Sequence, residues 1–497
     1  MINSPCLLYS TAAIRELEQQ TISSCGITGY DLMNRAGAAV LAVMKQKYPQ
    51  ARRILVCCGA GNNGGDGYVV ARLAQRAGYA VDVVSLVETD HLGGDARRAY
   101  SDWCTLGLGL VDADTINDVD VVVDALIGTG LQREVTGVWR SMIEAINASG
   151  VPIVSVDVPS GLNADTGSVM GVAVHANVTV TFIGLKQGLF THQAADYCGD
   201  IIFENLDVPD SVYQQVGAQA RLLCRNEIIK NLKPRQRDSH KNQHGHVLVI
   251  GGDAGMAGAA RLAAEAALRA GAGVVSVVTR PEHVTALVAA RPELMVWGTA
   301  DGVVPQQLVQ RADVIAIGPG LGQGEWGRKL LSQVLGCKQA KVVDADALKL
   351  LTKQDGPRKD WILTPHPGEA AQLLGISNAE VQADRCASIK ALHQIYGGVV
   401  VLKGAGSLVR SADDALCAVC PHGNPGMAVA GMGDVLTGVI AALVAQGCNL
   451  KTAVELGVVI HASAGDSAAQ QGERGLLASD LFPAIRKLVN GDVDDPT

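Results

Sequence analysis

The feature that most constrains this chain is a rhythm of short apolar runs. They recur at Arg53–Cys58 (RILVCC), Ala80–Leu86, Val119–Ala125, Pro152–Asp157 and Val178–Phe182, with Ala-rich or amphipathic stretches between most of them. A run with no alternating polar residue is buried on both faces, which happens when helices cover both sides of a parallel sheet. The repetition therefore predicts a doubly wound α/β fold. The rhythm stops across residues 210–245, a polar and locally basic stretch. It restarts at His246–Gly251, Gly273–Thr279, Val314–Ile317, Lys341–Asp344, Trp361–Thr364 and Val399–Lys403. We place a boundary near residue 220 and expect two tandem α/β domains, 1–220 and 221–497. Ahead of the first strand, residues 11–47 read as two helices broken at Gly26. Asp434 to Ala445 reads as a closing helix after a Gly-rich turn.

Composition narrows the partners. Aromatics are only 4% and the apolar weight falls on Ala, Val, Leu and Ile, which disfavours a sandwich. With 41 Lys plus Arg against 49 Asp plus Glu, the net charge of −8 offers no basic face for nucleic acid or an anionic membrane. The N-terminus lacks the basic and apolar regions of a secretory signal, and no apolar run reaches the roughly 18 residues of a membrane span. We expect a cytoplasmic protein with a small-molecule partner, no nucleic acid and no membrane. The twelve scattered cysteines fit reduced thiols. Cys417 and Cys420 form a CxxC without a second ligand pair, so they read as core.

Three loops at predicted strand ends carry polar chemistry in the first half. Gly59-Ala60-Gly61-Asn62-Asn63-Gly64 matches the dinucleotide pattern GxGxxG between a strand and a helix. The acidic residue that should end the next strand is misplaced, Asp82 being early and Glu88 late, which weakens a hydride-transfer reading. The loop continues through Gly65 and Asp66, setting two amides and a carboxylate where a pyrophosphate cradle avoids negative charge. Asp124 to Glu134 and Asp157 to Leu162 complete the set, and ligands of open α/β sheets bind at that edge. For any one loop alone the better reading is that each Asp caps a helix and each Gly permits a turn, and it is the three loops together that point to a site.

The strings GNNGGDG, VDALIGTGLQRE and VDVPSGLNADTG resemble the signatures of the NAD(P)H-hydrate epimerase domain over about residues 10–215. The resemblance implies a Rossmann-like three-layer α/β/α domain that interconverts the R and S epimers at C6 of hydrated NADH and NADPH. It implies that Asn62, Asn63, Gly64, Gly65 and Asp66, with Gly128, Thr129, Gly130, Leu131, Gln132, Arg133 and Glu134, hold the substrate. It also implies potassium among Asn63, Asp124 and Ser160, and Asp157 near the ribose or nicotinamide. Hard oxygen donors suit such a cation. Epimerisation needs a group that moves protons, and Asp157 is the candidate.

In the second half, Val399 to Ser407 runs from a buried strand into a polar turn, and Gly431-Met432-Gly433-Asp434 precedes a helix. Amides at a helix start attract phosphate, whereas the Asp434 carboxylate repels it unless it acts as a base towards an incoming hydroxyl. A plain N-terminal helix carboxylate is the simpler reading of Asp434 alone. The GxGD pattern resembles the ribokinase-like superfamily. Together with HGHVLVIGGDAGMAGAARLAAEAALRAGAG, IGPGLG, VVDADAL, TPHPGEAAQLLG and VLKGAGS it resembles ADP- or ATP-dependent NAD(P)H-hydrate dehydratase over about residues 225–490. The resemblance implies a ribokinase-like α/β domain with Lys403, Gly404, Ala405, Gly406, Ser407 and Gly433 on the nucleotide. Ala259, Gly320, Gly322, His366 and Asp434 would surround the hydrate, with Asp434 as catalytic base and magnesium arriving with ADP or ATP. Met432 stands where a small residue is expected. His366 reads equally as a substrate contact or as a loop residue between Pro365 and Pro367. The chain as a whole reads as a bifunctional metabolite-repair enzyme, a homo-oligomer by resemblance. The alternative is a ribokinase-type small-molecule kinase fused to a non-catalytic nucleotide-binding module.

Overall fold

Every residue of Val121–Ala125 is buried, as a strand with helices on both faces requires. In the computed structural model, which describes residues 6–107, 109–111, 116 and 118–491 without the side chains of 227 and 228, this strand is central to the first of two units, Met1–Arg221 and Leu222–Thr497. The first unit contains β1 (Arg53–Cys58), β2 (Ala80–Ser85), β3 (Val121–Ala125), β4 (Ile153–Val156), β5 (Val178–Phe182) and β6 (Asp200–Glu204). All are parallel, in the order β2-β1-β3-β4-β5-β6. Alternate residues of β1 feed different cores: Ile54, Val56 and Cys58 pack into one cluster and Leu55 and Cys57 into another. That alternation makes three layers.

The helices start and stop where the sequence says they should. Ser10 caps α1 (Thr11–Cys25), which ends at Gly26 in the left-handed region, and a Thr28/Asp31 capping box opens α2 (Gly29–Lys47). The helix α3 (Asn62–Arg76) begins within the GNNGGDG loop itself.

The second unit holds β7 (His246–Ile250), β8 (Val274–Thr279), β9 (Met295–Gly298), β10 (Val314–Ile317), β11 (Ala340–Val343), β12 (Trp361–Leu363), β13 (Val399–Leu402), β14 (Ser407–Ser411) and β15 (Cys417–Cys420). They lie in the order β9-β8-β7-β10-β11-β12-β13-β14-β15, parallel until β13 and antiparallel after it. The helices that matter below are α4 (Ala257–Arg269), α5 (Pro367–Leu374), α6 (Met432–Ala445) and α7 (Leu450–Ala469).

Sequence reading missed β6, β9, β14 and β15. The first two are partly exposed edge strands whose apolar runs are short, Ile201 to Phe203 and Met295 to Trp297. Ser407, read as part of a flexible turn, instead starts the return strand of a hairpin whose turn is Lys403 to Gly406. Ten cysteines are free thiols, and Cys6 and Cys224 are not among them, a correction to the reading of all twelve as reduced. Among the described residues no helix is long and apolar enough to cross a membrane.

In both units the strand order reverses once, between β1 and β3 in the first and between β7 and β10 in the second. Loops leaving the carboxyl ends of two such strands diverge and open a crevice. Glycine lets them approach. A Cβ at Gly59 would lie 1.9 Å from the Leu126 carbonyl oxygen, and one at Gly251 would lie 2.0 Å from that of Pro319.

The α6 helix is apolar almost throughout and packs on α4 through Gly438, where a Cβ would meet the Ala263 carbonyl oxygen at 2.0 Å. Gly438→Ala should therefore destabilise the second unit by about 1–3 kcal/mol in denaturant unfolding, the usual range for overpacking. Gly336→Ala, where a Cβ meets nothing within 4 Å, is the control expected to stay near wild type.

Candidate active sites

At the reversal point of the first unit, Asn62, Asn63, Asp66, Gly128 to Glu134 and Asp157 line one cleft of about 1330 Å³. Gly64 and Gly65 are buried instead. A Cβ on Gly64 would strike the Gly59 carbonyl oxygen at 2.0 Å, and one on Gly65 the Met33 methyl at 2.6 Å. These two glycines allow α3 to start close to the sheet rather than facing the cleft.

Asp157 follows β4 with φ of 68°, a left-handed conformation costly for a residue with a side chain and typical of functional positions. Its Oδ1 accepts from Lys186 Nζ, from Phe182 N at 3.3 Å and from Thr181 Oγ1 at 3.4 Å. Lys186 Nζ also donates to Thr181 Oγ1 at 3.0 Å and to the Phe182 carbonyl at 2.8 Å, and its side chain is 1% exposed. The lysine is held rigidly, Asp157 lines the cleft, and its Oδ2 has no hydrogen-bond partner among the described residues. Lys186 and Glu18, which also line the cleft, escaped sequence reading. The only signal for Lys186 was a lysine set in the apolar stretch FIGLKQGLF.

Asp124 lies beneath, fully buried. It accepts from Ser155 Oγ at 2.8 Å, Ser160 N at 2.9 Å, Ser160 Oγ at 2.5 Å and Leu126 N at 3.3 Å. All four donors are neutral, and burial raises its carboxyl above the usual range. A buried carboxylate with no cationic partner is costly. Nearby, the buried Asn63 amide packs on Gly128 with its Nδ2 unbonded, and amide orientation is interchangeable. Carboxylate, amide and hydroxyl oxygens over an uncompensated charge fit a monovalent cation.

In the second unit the same edge gathers a denser charge cluster. Gly431, at φ of 94°, opens α6 without a side-chain cap, so main-chain N–H groups there remain available, with Asp434 in the first turn. The buried Asp344, at the end of β11, accepts from Lys403 Nζ at 2.8 Å and from Thr437 Oγ1 of α6 at 2.8 Å. The residue after it, Ala345, also has positive φ, 49°. Burial first, then the Asp344 carboxylate, push Asp434 up to about 7, with Lys403 working in the opposite direction. Burial alone would lower Lys403, but Asp344 and Glu369 more than reverse it.

The remaining sequence candidates fall around this cluster. Ala259 and Gly320 touch, a Cβ on Gly320 lying 3.2 Å from that of Ala259, and Gly322 N donates to Asp346 at 3.0 Å. His366 caps α5, its Nδ1 accepting from Gly368 N at 3.0 Å and Glu369 N at 3.3 Å, and its ring remains half exposed beside Lys403 and Glu369. Gly433 packs over Lys403 Nζ, 3.2 Å from where a Cβ would sit. Gly404, Ala405 and Gly406 form the hairpin turn, whose carbonyls are gathered by the buried Arg385: Nη2 donates to Leu402, Lys403 and Gly406 at 3.3, 3.4 and 3.3 Å. Ser407 Oγ closes the turn on the Gly404 carbonyl at 3.0 Å. Met432 fits because its side chain points into the core. His461 of α7 hydrogen-bonds the Met432 backbone, and burial takes its ring down to about 4. Arg385 and His461 were invisible in sequence, and Asp344, though quoted within VVDADAL, was not singled out, because their partners are 18, 29 and 59 residues away.

Two family models match the chain: NAD(P)H-hydrate dehydratase over residues 247–487, and the YjeF-related protein N-terminus over residues 29–188. The bifunctional NAD(P)H-hydrate repair enzyme Nnr of Coxiella burnetii is 49% identical over 487 residues, 97% of this chain and 99% of its own length. Its Escherichia coli namesake is 45% identical over 498 residues, 99% and 96% of the two chains. Among solved structures, an ADP/ATP-dependent NAD(P)H-hydrate dehydratase from Bacillus subtilis, co-crystallized with ATP/Mg2+, matches with a TM-score of 0.50. It is 30% identical and covers 54% of this chain and 96% of that one.

The charge cluster predicts a carboxyl group titrating near neutrality. Difference infrared titration should find a protonated carboxyl band that disappears as pH rises through about 7, and Asp434→Asn should remove it. Lys403→Met, which deletes the one cation favouring the charged form, should move the transition to higher pH. A downward move would show that the lysine is not the electrostatic partner.

Proposed function

The chain belongs to the family of bifunctional NAD(P)H-hydrate repair enzymes, and from that premise we propose how its two sites divide the work. The enzyme epimerises the R and S hydrates of NADH and NADPH and dehydrates the S form back to NAD(P)H at the expense of ADP or ATP. In this reading residues 1–220 are the epimerase and 221–497 the dehydratase. Asn62 to Asp66 and Gly128 to Glu134 hold the hydrate, with Gly64 and Gly65 acting through backbone placement. Asp157, aimed by Lys186, moves the proton. Potassium is held by Asn63, Asp124 and Ser160, where it supplies the positive charge that buried Asp124 lacks.

For the dehydratase, the carrying observation is Asp434, a carboxyl poised near neutrality beside the uncapped amides of α6. It accepts the proton of the C6 hydroxyl as that oxygen takes the phosphoryl group, and the main-chain N–H groups around Gly433 stabilise the charge spread over the phosphoryl oxygens. Phosphate then leaves and the dihydropyridine ring is restored. Lys403 orients Asp344 and keeps Asp434 able to ionise, while the 403–407 hairpin turn and Gly433 bind the nucleotide. Ala259, Gly320, Gly322 and His366 form the wall facing the hydrate. No cluster of three or more metal-ligating side chains occurs among the described residues. In this reading magnesium is carried in on the nucleotide phosphates with its own waters. A homo-oligomer in the cytoplasm completes the reading.

Asp434→Asn should lower dehydratase turnover by about 10²–10⁴-fold, the usual worth of a general base, with nucleotide affinity little changed and epimerisation intact. Normal turnover with a lowered melting temperature would make Asp434 only a helix-end carboxylate. Dehydration by the wild type should rise with pH through about 7, because the base must be ionised to work. Asp157→Ala should give the mirror image, losing epimerisation while S-hydrate dehydration continues. For the cation, hydrate affinity measured by calorimetry should be higher in potassium than in a non-coordinating cation, and Asp124→Ala should abolish the difference. Equal affinities for the wild type in both buffers would dismiss the potassium site.

A further inference from the structure

The N-terminal cleft has a feature that simple dinucleotide binding does not explain, an excess of carboxyl groups: Glu18, Asp66, Asp95, Glu134 and Asp157 line it against Arg15, Arg133 and Lys186. Asp157 alone is in contact with the ammonium, and Lys186 has already spent its donors on Asp157, Thr181 and Phe182. Asp66, one helical turn into α3, has no hydrogen-bond or ion-pair partner among the described residues.

The charges that act on Asp66 are the carboxylates of Asp157 and Glu18 and, against them, the ammonium of Lys186, which is already committed to Asp157, so Asp66 does not ionise cheaply and a proton stays in the cleft. Burial, reinforced by Asp157 and Glu18, holds Asp66 well above the usual carboxylate range, further than Glu18, which burial and Asp157 also raise while Lys186 and Arg15 oppose them. The proton therefore belongs on Asp66, while Asp157 is held as the partner of an ammonium. A carboxyl that keeps its proton, set in one cleft with a carboxylate in contact with an ammonium, is the pattern of an acid and base pair.

We propose that Asp66 is the proton donor of the epimerisation, acting opposite Asp157, and that inversion at C6 proceeds by loss and return of water. This rests on the assignment of the cleft to the epimerase reaction. The Asp66 carboxyl gives its proton to the C6 hydroxyl oxygen. The C6–O bond breaks, its electron pair leaves with water, and the lone pair of ring nitrogen N1 forms an N1=C6 iminium. Water adds to the other face of C6, the N1=C6 pair returns to nitrogen, and the surplus proton of that water goes to the Asp157 carboxylate. Proton exchange with solvent resets both groups, and nothing is oxidised or reduced. A cationic intermediate is stabilised by surrounding carboxylate. This accounts for an acidic residue in a loop whose glycine pattern otherwise suits phosphate. The competing route breaks the C6–N1 bond and recloses an aldehyde, keeping the original oxygen.

The test is epimerisation of R hydrate in heavy-oxygen water, followed by mass spectrometry and chiral chromatography against an enzyme-free control. In the wild type every inversion should place a solvent oxygen at C6. Asp66→Asn should lose inversion and labelling together, by about a hundredfold to ten-thousandfold, with Asp66→Glu restoring part of both and dehydration of S hydrate unaffected. Inversion with the original oxygen retained overturns the water-loss route even if no Asp66 variant folds. Wild-type inversion by Asp66→Asn overturns its role as donor. If Asp157→Asn inverts normally as well, the failure lies with the placement of the epimerase in this cleft.

Discussion

Carboxylates held away from water at the carboxyl ends of parallel strands are the constraint on which both sites depend. A buried carboxylate must find donors, a cation or a proton, and each of these outcomes occurs here. Asp124 is satisfied by four neutral donors and left wanting positive charge. Asp157 is tied to Lys186 and Asp344 to Lys403. Asp66 and Asp434, which have no such tie, are pushed towards the protonated state. The chemistry follows from that allocation, because a group that can both hold and release a proton near neutrality is what acid and base catalysis requires.

The two units reach this arrangement by the same topological route. Each sheet reverses its strand order once, and the loops on either side of the reversal touch through glycine, Gly59 on Leu126 and Gly251 on Pro319. The floor beneath differs. In the first unit the floor is Asp124 with the serines of β4 and its loop. In the second it is the buried start of α6, pinned to the sheet by the bond between Thr437 and Asp344. Positive φ at Asp157 and at Ala345 marks the places where the backbone is bent to present an acid. Strain of this kind persists only where the surroundings over-determine it. The networks around Lys186 and Lys403 supply that support.

The hairpin of β13 and β14 shows how a parallel sheet acquires a binding turn. Antiparallel return needs only a tight turn, so the backbone at 403–406 is presented at the sheet edge rather than consumed by a crossover. Arg385 donates to the Lys403 and Gly406 carbonyls of this turn and to that of Leu402 at the end of β13, which fixes the turn.

What the sequence determined by itself was everything governed by local pattern. The buried parallel strands, the helix break at Gly26, the restart near His246 and the glycine-rich loops follow from apolar runs, caps and turn residues, all short-range rules. Motif strings extended this to the candidates Asp124, Asp157 and Asp434, since the loops carrying them sit at strand ends that periodicity already marks. The half-exposed strands β6 and β9 were not legible because their apolar runs, Ile201 to Phe203 and Met295 to Trp297, are too short to stand out as buried strands. Tertiary structure alone decided which charges meet. Lys186 became a partner of Asp157, Lys403 of Asp344, and His461 of the Met432 backbone only when sheet order and helix packing closed gaps of 29, 59 and 29 residues. Protonation depends on burial and on neighbours within a few ångströms, and a linear string specifies neither.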